Sequence, residues 1–348
     1  MPAKGPCSGS SAPSHRHSGG GITGSEPPPA VAAKCRPSLD AWRRADARPR
    51  AGRLAVALYA ARDEYACAAL VMLARLESLG LDPSIERVLI TPAGYSLPPR
   101  VAAAAASRRA RLVAAPPLAG PDGDAYEFYR GSMSKLFVFS LSEYRRIVFL
   151  DSDSWVRDAR QLDALFDLPP VELAAPRAYW LDPGRPSGGC DDHAAPGAHV
   201  GEVPYAGRQQ KFTSALMVVT PSAALWLRVA GKYFPEGAGP RLRHGEYDMD
   251  LLNQEFKDEV MLLPGPPLFA LSQHWQDAAG DGVWSPFKGR LSQERLWAEA
   301  GLVHFSQPGK PWYAELRGAE LRKKHPDAHP RLYELFDAYN NATAALCS

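Results

Sequence analysis

The sequence lacks the features that mark several large classes of protein. Its five cysteines are scattered and form no CxxC pair, which supports neither a structural zinc site nor a dense disulfide framework. No stretch approaches the roughly 18 apolar residues of a membrane-spanning helix, and the N-terminus has no apolar signal-peptide core. The net charge of +2 gives no reason to expect nucleic acid as a partner. These absences predict a soluble, cytoplasmic chain without a transmembrane anchor.

The residues that are present divide the chain at about position 52. Residues 1–52 are rich in Ser, Gly, Pro and Arg, and the run 8-SGSSAPSHRHSGGGITGSEPPPA-30 has too little apolar surface to offset its ordering entropy. From residue 53 to residue 348 the composition is that of a globular domain. We therefore predict a disordered tail, 1–52, followed by one folded domain, 53–348.

Short apolar runs alternate with helix-like segments along this domain. Buried strands are predicted at LAVALY (54–59), RVLIT (87–91), LVAA (112–115), IVFL (147–150), VELAAP (171–176), SALMVVT (214–220) and VMLLP (260–264). Helices are predicted over 63–79, which ends at the good C-terminal cap Gly80, and from about Ser132 to Tyr144. The polar stretch 181–207 is too long for a turn and is expected to be functional or disordered. Strands that are apolar throughout and separated by helices indicate an α/β fold with a mostly parallel sheet.

The fourth predicted strand ends in Asp151 and Asp153. Ligands of parallel sheets gather outside the carboxyl ends of the strands, so this pair lies at the edge where such proteins keep their chemistry. Carboxylates at i and i+2 can converge on Mg²⁺ or Mn²⁺, which completes its shell with substrate phosphates. Two exposed carboxylates in a turn are an alternative. A phosphatase of the haloacid dehalogenase type is another, although three strands precede the pair and Trp155 stands where those enzymes usually have a small hydroxyl residue.

Four segments occur in a fixed order: 134-SKLFVFSLSEYRRIVFLDSDSWV-156, 212-FTSALMVVTPS-222, 247-YDMDLLNQEF-256 and 304-HFSQPGKPW-312. Together they resemble the retaining glycosyltransferases of the glycogenin-like family, family 8. Within it, PRAYW (176–180), EYDMD (246–250) and HFSQPGKPW look closest to the fungal Golgi N-acetylglucosaminyltransferase branch. The resemblance implies a single GT-A (Rossmann-like) α/β domain. It also implies transfer of a hexose or N-acetylhexosamine from a UDP-sugar to a glycan or small hydroxylated acceptor.

The resemblance assigns the metal and diphosphate contacts. Asp151, Asp153 and His304 match ligands of Mn²⁺, with Mg²⁺ as the alternative ion. Lys310 matches a lysine that pairs with the diphosphate and neutralises charge as UDP leaves, which makes it a catalytic candidate. Lys135 matches another lysine near the donor. For His304 the alternative is a buried, hydrogen-bonded histidine, and for Lys135 it is a surface lysine on an amphipathic helix.

The resemblance also assigns donor contacts. Tyr65 matches a tyrosine whose ring stacks on uracil, although Ala61 and Arg62 replace the family's Thr-Asn pair before Asp63. The expected donor-binding set is Tyr59, Asp63, Tyr65, Lys135, Ser152, Thr213, Ser214 and Lys310.

The family's Asn-Ser-Gly strand opening reads Thr213, Ser214 and Ala215 here, and its Asp-Gln-Asp signature reads Asp248, Met249 and Asp250. Asp248 and Asp250 are expected to act in catalysis by positioning donor and acceptor hydroxyls, with a helix N-cap as the alternative for Asp248. The Met249 thioether is a poor candidate for forming a glycosyl ester-like intermediate. This favours front-face (SNi-like) transfer over a covalent glycosyl intermediate.

Two alternatives stay open at this point, one for the function and one for the location. The changes at Thr213 and Met249 motivate a non-catalytic nucleotide-sugar-binding or scaffold protein with the same fold. By resemblance, the location is the Golgi lumen instead of the cytoplasm, which the sequon Asn341-Ala342-Thr343 would fit. A homodimer is the oligomeric state included in these expectations.

Overall fold

The computed structural model describes residues 52–116, 131–181, 211–233, 246–256, 259–263, 268–278 and 292–347. The tail predicted at 1–52 lies outside the described residues except for Gly52, and the stretch 181–207 lies outside them except for Leu181.

The described residues form ten strands. These are β1 (Leu54–Tyr59), β2 (Glu86–Pro92), β3 (Ala110–Ala115), β4 (Arg146–Leu150), β5 (Ser154–Val156), β6 (Leu173–Pro176), β7 (Leu216–Val219), β8 (Met261–Leu263), β9 (Phe269–Leu271) and β10 (Leu302–His304). Seven of them form the central sheet in the order β3-β2-β1-β4-β7-β6-β8. Its strand pairs are parallel except the two made by β7, which runs antiparallel to β4 and β6. The predicted α/β fold with a mostly parallel sheet is confirmed.

The same residues form eight α-helices. These are α1 (Asp63–Ser78), α2 (Pro99–Ser107), α3 (Ala159–Ala164), α4 (Ala223–Tyr233), α5 (Asp248–Phe256), α6 (Gln293–Glu299), α7 (Gly318–Lys324) and α8 (Pro330–Cys347). In these described segments we find no helix with the length and apolar character needed to cross a membrane. Gly80 follows α1 with φ +77°, the left-handed conformation that favours glycine after a helix.

The helix predicted from Ser132 to Tyr144 differs from the structure. The chain forms a 3₁₀ segment over Gly131–Ser140 and then a turn. In that turn the Leu141 N–H donates to Val138 O and the Tyr144 N–H donates to Leu141 O, which is the i to i+3 spacing of a tight turn. The apolar pattern predicted a helical segment here, but it could not distinguish these two helical spacings.

Both faces of the central sheet are covered. Alternate residues of β1 enter opposite apolar clusters: Val56 and Leu58 pack on the same side as Leu70 of α1, and Ala57 and Tyr59 pack on the other side. Because both faces are buried, every residue of β1 is buried. This explains why its sequence is apolar throughout instead of alternating.

A second, three-stranded sheet in the order β5-β10-β9 lies beyond the end of β4. Strand β10 is antiparallel to β5, with His304 opposite Ser154, and parallel to β9, with His304 opposite Leu271. The Phe305 N–H donates to Asp153 O at 3.0 Å. This small sheet, which was not predicted, therefore holds the end of β10 against the Asp151–Asp153 segment.

The C-terminal helix α8 packs behind the second sheet. Phe336 and Tyr339 each meet the Phe305 ring edge-to-face, with centroids 5.2 Å apart. At the end of α8, Cys347 is disulfide-bonded to Cys67 of α1. The two cysteines are 280 residues apart, so their spacing could not reveal the pair.

We expect reduction of the Cys67–Cys347 bond to lower the free energy of unfolding by about 2–4 kcal/mol, because the bond restricts the unfolded chain over a long loop. Calorimetry with and without dithiothreitol measures the effect. The double variant Cys67→Ser with Cys347→Ser should melt like the reduced wild type and should not respond to dithiothreitol. A wild-type melting temperature that reduction leaves unchanged would contradict this prediction.

Candidate active site

The antiparallel pairing of β4 with β7 brings distant residues to one edge of the sheet. Leu150, the last residue of β4, lies opposite Leu216, the first residue of β7. The next pair continues this register, since the Asp151 N–H donates to Ala215 O at 2.8 Å. The acidic residues after β4 therefore lie beside Thr213 and the residues that lead into β7.

Asp151, Asp153 and His304 converge at this edge. One ligand atom from each lies within 4.8 Å of the others. Nε2 of His304 is 3.4 Å from Oδ1 of Asp153 and 3.9 Å from Oδ2 of Asp151. The imidazole also stacks on Phe269, with ring centroids 6.0 Å apart. The structure thus brings the three expected metal ligands together.

The chemistry of this triad fits a divalent cation. Asp151 is 7% exposed and Asp153 is 3% exposed. Oδ1 of each accepts no well-formed hydrogen bond from the described residues, although Lys135 Nζ lies 2.8 Å from that of Asp151. Two buried carboxylates beside an imidazole form a ligand set suited to Mn²⁺ or Mg²⁺.

Two lysines lie against the carboxylates. Lys135 Nζ is 2.8 Å from Asp151 Oδ1 and 3.1 Å from Asp248 Oδ2, and its side chain is 4% exposed. Lys310 Nζ is 2.5 Å from Asp153 Oδ2 and donates to Phe305 O at 2.6 Å. The surface-lysine alternative for Lys135 is therefore wrong, because this side chain is buried between two carboxylates.

Burial and charge act in opposite directions on these groups. Burial raises the pKa of the Asp151 carboxyl, and the Lys135 ammonium offsets only part of that rise. Burial acts in the same direction on Asp153, but Lys310 and the imidazole outweigh it and hold the pKa of this carboxyl well below its usual range. Burial would lower the pKa of Lys135, yet the two carboxylates that it bridges raise it above its ordinary value. Lys135 and Asp153 are therefore charged at neutral pH.

Asp248 is the first residue of α5, and its carboxylate is fixed from several sides. Ser132 Oγ donates to Oδ1 at 2.9 Å, and Ser214 Oγ donates to Oδ2 at 2.5 Å. Together with Lys135, these contacts hold a buried carboxylate in one orientation. Ser132 was not among the expected site residues, and only its contact with Asp248, 116 residues away, identifies it.

Asp250 lies two residues after Asp248, in the first turn of α5. Its Oδ2 accepts from the Tyr247 N–H at 3.3 Å, and its Oδ1 lies 3.9 Å from Lys211 Nζ. This contact reaches back to the residue before α5, so it is not the N-cap contact suggested as the alternative for Asp248, which is itself the first helical residue. Its expected contact with an acceptor hydroxyl stays a prediction.

The residues expected near uridine form an aromatic cluster. Tyr65 is 4% exposed, and its ring lies 5.3 Å from that of Tyr59 and 5.0 Å from that of Trp312, which it meets edge-to-face. Asp63 is exposed at the start of α1 and accepts from the Tyr95 hydroxyl at 2.9 Å. Trp312 had no expected role, and its contact with Tyr65 joins the HFSQPGKPW segment to this cluster.

Two residues that are expected to contact the UDP-sugar, Ser152 and Thr213, form side-chain hydrogen bonds with the backbone. Ser152 Oγ donates to Tyr59 O at 2.5 Å, which ties the ends of β1 and β4 together. Thr213 Oγ1 accepts from the Ala215 N–H at 3.1 Å. Contact of either hydroxyl with a nucleotide sugar stays a prediction.

No family model matches this chain. In sequence it is similar to Glucose N-acetyltransferase 1 of Aspergillus fumigatus, with 29% identity over 289 residues, which cover 75% of this chain and 65% of that protein. It is also similar to Galactinol synthase 1 of Solanum lycopersicum, with 27% identity over 231 residues, which cover 66% of this chain and 63% of that protein. The match therefore spans less than two thirds of either relative's length.

In structure the chain is similar to the galactosyltransferase LgtC, whose crystal structure contains donor and acceptor sugar analogs. The TM-score is 0.54 at 15% identity, and the match covers 85% of this chain and 97% of that one. At this identity the likeness establishes the fold. The resemblance expected from the sequence is thus confirmed: the chain is similar to glycosyltransferases and has their GT-A fold.

Proposed function

We propose that this chain is a retaining glycosyltransferase. It transfers a hexose or an N-acetylhexosamine from a UDP-sugar to a hydroxyl group of a glycan or other small acceptor. The observation that carries the proposal is the convergence of Asp151, Asp153 and His304 with two lysines at the edge of the sheet. The compared proteins are named Glucose N-acetyltransferase, Galactinol synthase and galactosyltransferase, which supports a sugar substrate and leaves its identity open.

Asp151, Asp153 and His304 are the proposed ligands of a divalent cation, Mn²⁺ or alternatively Mg²⁺. When bound, such an ion neutralises negative charge on the departing diphosphate. Lys310 contributes a second positive charge beside Asp153, at the place where this negative charge develops. An ammonium group is suited to this task because it stabilises the leaving group without having to give up a proton.

Asp248 is the proposed contact for the donor sugar. Ser132, Ser214 and Lys135 hold its carboxylate in one orientation. A carboxylate fixed in this way can accept hydrogen bonds from sugar hydroxyls and orient them before reaction. Lys135 links this carboxylate to Asp151 and so connects the sugar side of the site to the metal side. Asp250 is the proposed contact for the acceptor.

Retention follows from front-face transfer. The bond between C1 of the sugar and the UDP oxygen breaks, and the acceptor oxygen bonds to C1 on the same face. The acceptor proton passes to the departing phosphate oxygen, so the products are the glycoside and UDP. Met249 favours this path because a thioether does not supply the nucleophile that a covalent glycosyl intermediate needs. The residues named above bind, orient and stabilise charge.

We also propose that the domain works in an oxidising compartment such as the Golgi lumen. The support is the Cys67–Cys347 disulfide, since such bonds are rare in the cytosol. Asn341 of the sequon Asn341-Ala342-Thr343 is exposed on α8 and agrees with a lumenal location. Alkylation of free thiols in intact cells, before any reduction, tests this location. Cys67 and Cys347 should stay unlabelled in an oxidising compartment, whereas in a cytosolic domain both would be labelled. The homodimer stays a prediction.

The metal assignment predicts that Asp151→Asn with Asp153→Asn abolishes Mn²⁺-dependent UDP binding and leaves the fold intact. Titration calorimetry with UDP measures the binding, and circular dichroism checks the fold. The matched control is Glu334→Gln with Asp337→Asn, which removes two charges from α8, one exposed and one half-buried, and should bind like the wild type. Undiminished Mn²⁺ dependence in the Asp151/Asp153 variant would refute the site.

The catalytic assignment predicts Mn²⁺-dependent release of UDP from at least one UDP-sugar when a panel of donors is offered with broad acceptors. Lys310→Ala should lower the rate by about 100-fold, because it removes a charge that stabilises the leaving group. Lys324→Ala, a surface change at the end of α7, is the control and should leave the rate unchanged. Tight UDP binding without release from any donor would favour the non-catalytic alternative instead.

A further inference from the structure

Ser272 is a buried residue whose side chain forms hydrogen bonds with the loop between His304 and Lys310. It opens the 3₁₀ turn Ser272–Trp275, directly after β9, and is 0% exposed. Its Oγ donates to Gln307 O at 2.6 Å and accepts from the Ser306 N–H at 3.0 Å. A hydroxyl can donate and accept at the same time, so one side chain forms hydrogen bonds with backbone groups of two consecutive loop residues.

These two bonds hold the middle of the loop. At its start the Phe305 N–H donates to Asp153 O at 3.0 Å, and after its end the Tyr313 N–H donates to Lys310 O at 3.1 Å. The Lys310 side chain reaches across the loop, since its Nζ donates to Phe305 O at the start of the loop. The position of Lys310 therefore depends on the path of residues 306 and 307.

His304 depends on this loop much less. It lies within β10, which is paired on one side with β5 and on the other with β9. Lys310 lies beyond the strand, and its ammonium reaches back to Asp153 Oδ2 at 2.5 Å. Loss of the Ser272 hydroxyl should therefore disturb the lysine and spare the metal ligand.

We propose that Ser272 is a positioning residue that acts through Lys310 on the diphosphate of a sugar nucleotide. This inference rests on the proposed function, in which Lys310 binds that diphosphate. Without the hydroxyl, the part-buried Ser306 N–H and Gln307 C=O would lose the partner that holds them in place, and the loop could then rearrange. Lys310 then leaves the place from which it meets the leaving group.

A double-mutant cycle tests the proposal. UDP affinity at saturating Mn²⁺ is measured by calorimetry for the wild type, Ser272→Ala, Lys310→Ala and the double variant. Ser272→Ala should weaken binding about tenfold when Lys310 is present, and less than about twofold when Lys310 is already alanine. Equal losses in both backgrounds, or no loss in either, would overturn the proposal, because Ser272 would not then act through the lysine.

Ser306→Ala is the matched control on the same loop. It removes the Ser306 Oγ bond to Gln273 Oε1, 3.1 Å long, but keeps the N–H that Ser272 accepts, so UDP affinity should stay within about twofold of the wild type. If Ser272→Ala does not fold, Ser272→Cys takes its place in the cycle, since a thiol is similar in size but a weak hydrogen-bonding group. Wild-type protein that does not bind UDP with Mn²⁺ would instead refute the proposed function.

Discussion

The burial of two carboxylates at the end of β4 is the constraint on which the rest of the site depends. Asp151 and Asp153 are almost inaccessible to water, and buried charge is unfavourable unless it is paired. The pairing groups are Lys135 from the 3₁₀ segment before β4, and His304 and Lys310 from the C-terminal part of the domain. Three distant parts of the chain must therefore be folded before these charges are compensated, which ties the integrity of the site to that of both sheets.

The groups that compensate this buried charge are also the groups that the chemistry needs. Lys310 and His304 keep Asp153 ionised, and ionised carboxylates are what a divalent cation requires. Lys135 connects Asp151 with Asp248, so a change on the sugar side is felt electrostatically on the metal side. The site is best regarded as one network of alternating charges, in which Lys135 is shared by Asp151 and Asp248, and Asp153 is shared by His304 and Lys310.

The sequence predicted the parts of the fold that have a strong local pattern. Strands β1 and β4 are buried on both faces, so they read as unbroken apolar runs, and α1 ends where a glycine can adopt a positive φ. The three-residue strands β5, β9 and β10 have no periodicity of their own, and their sheet was missed. His304 came from resemblance to a family motif. The contacts of Ser132, Ser272 and the Cys67–Cys347 pair join residues far apart in the chain, which no local pattern records.

The Cys67–Cys347 bond also determines how the domain responds to damage. It closes a covalent ring over a separation of 280 residues, which includes every proposed metal ligand and both lysines. A single cut of the backbone anywhere inside this ring leaves two fragments that remain one molecule. They can separate only after reduction, so a single band on a non-reducing gel does not establish an unbroken chain.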